Sequence, residues 1–314
     1  YETGIYSLLP KHGTLCSTTI KMNNTTDWSR PHFETTLYNP YLFFVIFGEF
    51  DVDFNISSKK YHISGMPEGV ELMSYGPNDN GEVVQSFNEG YIWEELSSNN
   101  KELAQLITKS TECYIFKGET ADCNNLDYFK NLIGVTSYLL DNGGIAVYDP
   151  FQLKYWSNEK WQNNVFSTHL PNPFHQVTIL YSKNDNDNYW LHTRGLIKYG
   201  RPDLSMNEII EDDIETISNI FNELIEFQAL GGIIENGLRI EENESISDLE
   251  YSDLKGSFDD PDFNNKHIEI KRKNKHNTVQ KHIAGLVGFR SFCACIRAEN
   301  RRLSSQRSRN LRGN

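Results

Sequence analysis

The distribution of charge along the chain limits which residues can form one folded unit. Residues 1–275 contain 22 Lys and Arg against 42 Asp and Glu, a net charge of −20, whereas residues 276–314 contain 8 against 1, a net charge of +7, and the two sum to −13. Segments that differ this sharply in composition are not expected to share one hydrophobic core. The sequence therefore predicts a folded body over residues 1–275, with a division into 1–88 and 89–275 as an alternative, and a basic tail over 276–314.

The basic tail has three interpretations. Its Lys and Arg residues suit an amphipathic segment that binds a membrane surface or a nucleic acid. The other two are an extension without a fold and a sequence translated out of its original frame, since Asp, Tyr and Trp disappear from the tail. The compositional break favours a disordered tail. Cys293 and Cys295 do not alter this prediction, because structural zinc needs a full tetrahedral set of ligands and no second cysteine pair lies nearby.

The composition of the body narrows the class of protein. A net charge of −20 argues against sequence-independent binding to nucleic acid, which depends on Lys and Arg neutralising phosphates, and it favours a basic protein partner. The longest apolar run, Tyr41 to Phe47, has seven residues, whereas a helix that crosses a bilayer needs roughly 20. Five scattered cysteines do not resemble a disulfide framework. We therefore expect a cytoplasmic protein without a transmembrane segment.

Strand-like and helix-like segments are mixed along the body without a repeat. They predict an α+β protein with a mixed, largely antiparallel sheet and helices packed on it. The Ser205 and Glu208 pair has capping-box spacing and predicts the start of a long helix. No glycine-rich phosphate loop is present, so no nucleotide cofactor is expected. The strands are predicted at Tyr41 to Phe47, Lys59 to Ser64, Cys113 to Gly118, Ile145 to Asp149, Val177 to Ser182, Tyr189 to Arg194 and Lys266 to Lys271, and further helices at Tyr91 to Lys109, Asn125 to Leu140 and Ser157 to Phe166.

The segment WLHTRGLIKYGRPDLS, residues 190–205, carries the most distinctive set of charges. Side chains alternate along a strand, so Trp190, His192 and Arg194 are expected to share one face. Arg201 precedes a proline and is held extended, and Asp203 follows in the turn. If these side chains converge, the two guanidinium groups can bind a phosphate or carboxylate while His192 acts as a general acid or base.

Asp149 is a second candidate catalytic residue, because carboxylates at strand ends are well placed for acid or base chemistry. Each of these residues also has a purely structural interpretation. Arg201 can pair with Asp203 or another carboxylate to fix the loop, and His192 can be a hydrogen-bonded residue beside Trp190. An Asp before a Pro is also a common turn starter. No metal site is predicted, since the histidines have no carboxylate at ligand spacing.

The charged segment, together with LLDNGGIAVYDP and DDPDFNNKHIEI, resembles a group of uncharacterised bacterial proteins, classed as domains of unknown function. These proteins share the core W-L-H-T-R-G-x-x-K-[FY]-G-R-P-D-[LI]-S, and the similarity covers roughly Trp93 to Ile270. The resemblance implies no activity or cofactor, and it implies that the fold ends near Ile270. The matching positions, which have no assigned role, are Trp190, His192, Arg194, Gly195, Arg201, Pro202 and Asp203.

Two hypotheses for function follow. In the first, the protein is a non-catalytic, acidic interaction protein that binds a basic partner protein, in the manner of bacterial immunity proteins that mask a toxin nuclease. In the second, it is an enzyme that acts on an anionic small molecule, with Arg194 and Arg201 as an anion clamp and His192 or Asp149 as acid or base. We favour the first, because the body is strongly acidic and shows no recognised catalytic motif.

Overall fold

A computed structural model describes residues 6–7, 28–184, 186–235 and 249–272. The predictions for the tail and for Cys293 and Cys295 lie outside these residues. The segment GIIENGLRIEE, residues 232–242, is also strand-like in sequence, and its residues 236–242 lie outside the described ranges. Within the described ranges the cysteines, Cys113 and Cys123, carry free thiols.

The protein is an α+β protein, as the sequence predicts. Its strands are β1 Tyr6–Ser7, β2 Tyr41–Gly48, β3 Val70–Tyr75, β4 Glu112–Glu119, β5 Gly144–Asp149, β6 Lys154–Ser157, β7 Thr178–Lys183, β8 Tyr189–Arg194, β9 Asp203–Ile209, β10 Leu249–Tyr251 and β11 His267–Arg272. Its α-helices are α1 Ser58–Tyr61, α2 Glu82–Gln85, α3 Tyr91–Asn99, α4 Lys101–Lys109, α5 Asp127–Asp141, α6 Asn158–Trp161 and α7 Ile214–Ala229. The described residues also contain a π-helical turn at Gln162–Phe166 and 3-10 turns at Pro173–His175, Leu196–Tyr199 and Glu211–Asp213.

The strands of the described residues form two sheets. A five-stranded antiparallel sheet has the order β3-β4-β2-β5-β6, and a six-stranded sheet has the order β1-β7-β8-β9-β11-β10. Every pair is antiparallel except β9 with β11, so the prediction of mixed but largely antiparallel pairing is confirmed. The five-stranded sheet takes strands from both sides of residue 88, so that position is not a boundary between sheets.

Strand β2 lies at the centre of the five-stranded sheet and is buried on both faces. Leu42, Phe44 and Ile46 belong to a large core shared with α5, α7 and the six-stranded sheet. Val45 and Phe47 face a smaller core with α2 and α4. A strand buried on both faces loses the usual apolar–polar alternation, which explains the continuous apolar run in the sequence.

Two local predictions are wrong. Residues Lys59 to Ser64 are not a strand: Ser57 accepts a hydrogen bond from the Lys60 amide and begins the short helix α1, and His62 ends it with φ +57°. Ser205 does not begin a helix, because residues 203–209 form the strand β9 between β8 and β11. The long helix that was predicted exists, but it begins at Ile214.

The predicted helix from Tyr91 to Lys109 is present as two helices. Asn100, with φ −144° and ψ 71°, separates α3 from α4, and its side chain accepts a hydrogen bond from the Leu103 amide. Asparagine is a strong N-cap residue, so this position ends one helix and begins the next. No helix in the ranges that the structure describes is long and apolar enough to cross a membrane.

Candidate functional site

The charged segment lies inside the protein. It runs along β8, through the 3-10 turn at Leu196–Tyr199 and into β9, and every residue from 191 to 206 is buried. Gly200 closes the turn with φ +64°, and a Cβ atom there would lie 2.8 Å from the Tyr38 carbonyl oxygen. Buried charges are costly unless they are paired. The partners of these side chains therefore decide what they do.

Arg201 shares a buried carboxylate with Arg30. Asp122 accepts from Nη1 of Arg201 at 2.9 Å and from Nη1 of Arg30 at 2.5 Å, and all three side chains are almost fully inaccessible. The other Arg201 hydrogens are donated to carbonyl oxygens of Glu34, Gly200, Gly231 and Gly232. Arg30 donates to carbonyls of Cys123, Tyr199 and Ala229. The two guanidinium groups thus join four chain segments that are distant in sequence.

Arg194 is held by the loop before β11. Its Nη1 donates to the carbonyl oxygen of Asp262 at 2.8 Å and more weakly to that of Pro261 at 3.3 Å, and its Nη2 donates to Oδ1 of Asn264 at 2.6 Å. The Arg194 guanidinium group therefore fixes loop 258–264 to the end of β8. Burial lowers the Arg194 pKa, and the nearby carboxylate of Asp203 opposes this shift.

Asp203 pairs with neither Arg194 nor Arg201. Its carboxylate accepts from the Thr193 hydroxyl at 2.7 Å, from the Leu196 amide at 3.3 Å and from the side-chain amide of Asn265 at 2.7 Å. Burial raises its pKa to about 6, although these hydrogen bonds favour the ionised form.

Asp149, the second candidate, forms a completely buried ion pair with Lys198. Its other oxygen accepts from the amides of Phe151 and Gln152, each at 3.0 Å. Lys198 also donates to the side chain of Gln176 at 3.3 Å. This pair joins the end of β5 to the 3-10 turn between β8 and β9. It connects the two sheets through their interior.

Trp190 and His192 share a face of β8, as predicted from the alternation. Their rings stack with centroids 3.9 Å apart, and the indole N–H donates to the hydroxyl of Ser205 at 2.8 Å. Burial lowers the His192 pKa to about 3, and the charge of Arg194 adds to this effect. His192 is therefore a neutral imidazole at physiological pH.

The four candidate site residues of the charged segment do not come together in one site. They are His192, Arg194, Arg201 and Asp203. The side chains of Arg194, Arg201 and Asp203 have separate sets of hydrogen-bond partners, and His192 takes part in an aromatic stack. An anion clamp needs guanidinium donors that are available to a ligand. Here most of those donors are used to hold loops and strands together.

Arg30, Asp122 and Asn265 complete this network and were not identified from the sequence. Only five arginines precede residue 276, and three of them, Arg30, Arg194 and Arg201, are buried. This scarcity was a usable signal for Arg30. No comparable signal in the sequence marks Asp122, because its two arginine partners lie 92 and 79 residues away.

An open groove lies on the outer face of the five-stranded sheet. It has a volume of about 440 Å³ and is lined by aromatic and aliphatic side chains that include Tyr41, Phe43 and Met73. Its charged residues, Glu71 and Lys117, are opposite one another on β3 and β4. The groove therefore carries no net charge that would select a basic or an acidic partner.

A different surface carries exposed negative charge next to an apolar side chain. We use the name acidic rim for Glu208, Ile210, Glu211, Asp212 and Glu215, which are all exposed and lie between the end of β9 and the first turn of α7. Ile210 is 52% exposed. Glu208 has φ +59°, a left-handed conformation that costs a non-glycine residue free energy. Among the described residues, no Lys or Arg forms a salt bridge with the rim's carboxylates. Lys183 is bonded to Asp187, which raises its pKa, and the charge of Glu211 adds a smaller contribution.

In the part of the chain that the structure describes, no group of three or more His, Cys, Asp or Glu residues is arranged to hold a metal ion. Comparisons with protein-family models, with curated proteins and with solved structures found no match. The resemblance to the uncharacterised bacterial proteins therefore stays a prediction.

Proposed function

We propose that the protein is a non-catalytic binding protein whose acidic rim holds a basic partner protein, as an immunity protein masks a toxin. The observation that carries this proposal is that the charged side chains fall into two groups, one buried in the fold and one exposed on the surface. The cationic and acidic side chains of residues 194–203 are used inside the fold, whereas the rim presents carboxylates to solvent around one exposed apolar side chain.

The composition of the rim suits a basic partner. Carboxylates on a surface attract and orient a partner of opposite charge and raise the association rate. An apolar side chain at the centre of a patch can fill a pocket on the partner, where it is shielded from water by the polar groups around it. Ile210 has this position, with Glu208 before it and Glu211 and Asp212 after it.

The alternative, an enzyme that acts on an anionic small molecule, has less support. It requires His192, Arg194, Arg201 and Asp149 to meet in one pocket, and each of these has its own internal environment.

The rim carboxylates do have a second role, because acidic residues at the start of a helix interact favourably with its dipole. The test must therefore separate binding from helix stability.

The test compares two charge-matched variants for binding to a basic peptide of alternating lysine and leucine. Glu211→Gln with Asp212→Asn removes two charges from the rim. Glu94→Gln with Glu102→Gln removes two exposed charges from the first turns of α3 and α4. Both variants change the net charge of the chain from −13 to −11, so any difference between them reports the location of the charge.

We expect the rim variant to bind about tenfold more weakly than the parent at low salt, and the matched variant to stay within about twofold. Ile210→Ser should also weaken binding, whereas Leu106→Ser, at another exposed apolar residue, should not. Melting temperatures of all variants report any change in helix stability separately. Equal losses in the two double variants would mean that only net charge matters, and the proposal would fail.

A further inference from the structure

The groove on the outer face of the five-stranded sheet is large enough for a small molecule. Part of that face, around Val45 and Phe47, packs against α2 and α4. At the start of β3 and the end of β4, Gly69 and Gly118 contribute no side chains, and a Cβ atom at either position would lie 2.1 Å from a backbone carbonyl oxygen. The cavity of about 440 Å³ falls in the usual range for ligand sites, roughly 300–1,000 Å³.

Side chains on β3 and β4 form two rows across the floor of the groove. In the first row Glu71 is directly opposite Lys117, and in the second row Met73 is directly opposite Ile115. Residues two apart on a strand face the same side of the sheet, so the two rows are neighbours about 6.6 Å apart. The floor therefore has a charged row next to an apolar row.

The two charges of the first row are available to a ligand. Glu71 and Lys117 are both exposed, and neither forms an ion pair or a side-chain hydrogen bond with a described residue, although they are opposite one another. Directly opposite residues on neighbouring strands are close, with Cβ atoms about 5 Å apart. A carboxylate and an ammonium group thus lie side by side at the same end of the groove.

Aromatic rings of β2 line the other side of the groove. Phe43 is directly opposite Lys117, and its ring packs against Phe87 with centroids 6.5 Å apart. The Tyr41 ring contacts Phe151 and Phe258 edge to face, with centroids 5.9 and 5.2 Å away. Because each ring is held by a neighbour, this apolar wall is already formed before a ligand binds.

We propose that the groove binds a free α-amino acid with an apolar side chain, such as phenylalanine. The ammonium group of the ligand pairs with Glu71 and its carboxylate pairs with Lys117. Its side chain lies over Met73 and Ile115, where an aromatic ring also gains a favourable contact with the methionine sulfur.

The order of groups in the groove selects this chemistry over simpler ligands. A cation alone would leave Lys117 without a partner, and an anion alone would leave Glu71 without one. A purely apolar molecule would take water from both charges and replace it with nothing, which costs free energy. An amino acid carries both charges at one end and an apolar group at the other, as the two rows do.

The experiment titrates the full chain with three ligands and measures each Kd by ligand-observed NMR. The ligands are L-phenylalanine, phenethylamine, which lacks the carboxylate, and hydrocinnamate, which lacks the ammonium group. We expect a Kd of about 1 mM for phenylalanine, because ion pairs that stay exposed to water are weak. Each of the other two ligands should bind about fivefold more weakly, since it loses one of these pairs.

Two variants test which charge meets which group. Glu71→Gln should weaken the binding of phenylalanine and phenethylamine about fivefold and leave that of hydrocinnamate within about twofold. Lys117→Gln should weaken phenylalanine and hydrocinnamate by the same factor and leave phenethylamine within about twofold. Glu159→Gln and Lys160→Gln remove the same charges from exposed positions of α6, which does not line the groove, and should bind all three ligands like the parent.

The crossed pattern of losses is what a two-point contact requires. If phenylalanine shows no saturable binding at concentrations about twentyfold above the expected Kd, the proposal is wrong. It is also wrong if each groove variant loses the same factor for all three ligands, or if the α6 variants show the same losses. Those results would mean that the charges of the groove do not contact the ligand.

Discussion

Asp122 shows how one buried carboxylate can compensate two guanidinium groups. Each of its oxygens accepts from one arginine. The two guanidinium groups also donate to seven carbonyl oxygens, those of Glu34, Cys123, Tyr199, Gly200, Ala229, Gly231 and Gly232. Removing one partner of a buried pair is costly, because it leaves the other charge without compensation. Distinctive charges in a sequence are therefore not by themselves a sign of an active site.

His192 gives a prediction at the residue scale. Its pKa is about 3 in the folded protein and about 6.5 in an unfolded chain. The unfolded chain therefore binds the proton more strongly, and the parent protein loses stability as pH falls below about 6.5. His192→Phe keeps an aromatic ring over Trp190 but cannot take up a proton. The parent's free energy of unfolding should fall relative to the variant's by up to about 1.4 kcal/mol per pH unit between pH 6.5 and pH 4.

Urea denaturation of the parent and of His192→Phe at several pH values measures this difference. The comparison is needed because Asp203 acts in the opposite direction. Its folded pKa of about 6 lies above its usual value of 3.8, so its protonation stabilises the folded protein as pH falls through that window. Asp203 is present in both proteins and its contribution cancels. A stability difference that does not change with pH would show that His192 is not held neutral by burial.

At the scale of elements, Gly134 decides how α5 packs. A Cβ atom at this position would lie 2.2 Å from the Tyr61 carbonyl oxygen and 2.3 Å from Cγ2 of Ile63. Alanine is the better helix former, yet we expect Gly134→Ala to lower the free energy of unfolding by about 2 kcal/mol, because the neighbouring backbone must move. Gln105→Ala, at an exposed position of α4, is the control for helix propensity.

The expected result of the control is no loss of stability in urea denaturation. If Gly134→Ala were instead as stable as the parent, the segment after α1 would have to lie farther from α5 than the structure places it. The two substitutions together separate the intrinsic preference of a helix from the contact that overrides it.

The elements that were predicted correctly have strong local patterns. The apolar run of β2 and the strand-like segments of β7 and β8 determine structure within a few residues. Ser205 failed as a helix cap for a non-local reason. Residues 203–209 pair with β8 on one side and with β11, more than 50 residues away, on the other. The Ser205 hydroxyl accepts a hydrogen bond from the Trp190 indole N–H and does not cap a helix. Tertiary pairing of this kind cannot be read from four residues.

The same limit applies to the candidate site. Alternation along β8 correctly placed Trp190, His192 and Arg194 on one face. It could not show that Arg194 would be enclosed by loop 258–264 or that Arg201 would share Asp122 with Arg30, because these contacts depend on how the sheets and loops come together. The local sequence therefore indicates which charged residues have an unusual setting, and the tertiary structure shows which groups in the protein they pair with.

At the scale of the whole molecule, buried ion pairs and hydrogen bonds connect the parts of the fold. The Asp149 and Lys198 pair links the five-stranded sheet to the segment between β8 and β9. The network of Arg201 links that segment to the residues that follow α7. These charges are used internally, whereas the carboxylates of the acidic rim are exposed.

The central conclusion is that the buried charges of residues 190–205 hold the fold together. Its most direct test is the melting temperature of Arg201→Lys with and without a panel of phosphates and carboxylates. Lysine cannot reproduce the hydrogen bonds of the guanidinium group, so we expect a fall of about 10 °C and no rise with any ligand, in the parent or in the variant. Arg272→Lys, at an exposed arginine paired with Asp213, should change little. If Arg201→Lys melts like the parent but loses a stabilisation that an anion gives the parent, the segment is a binding site and the account is wrong.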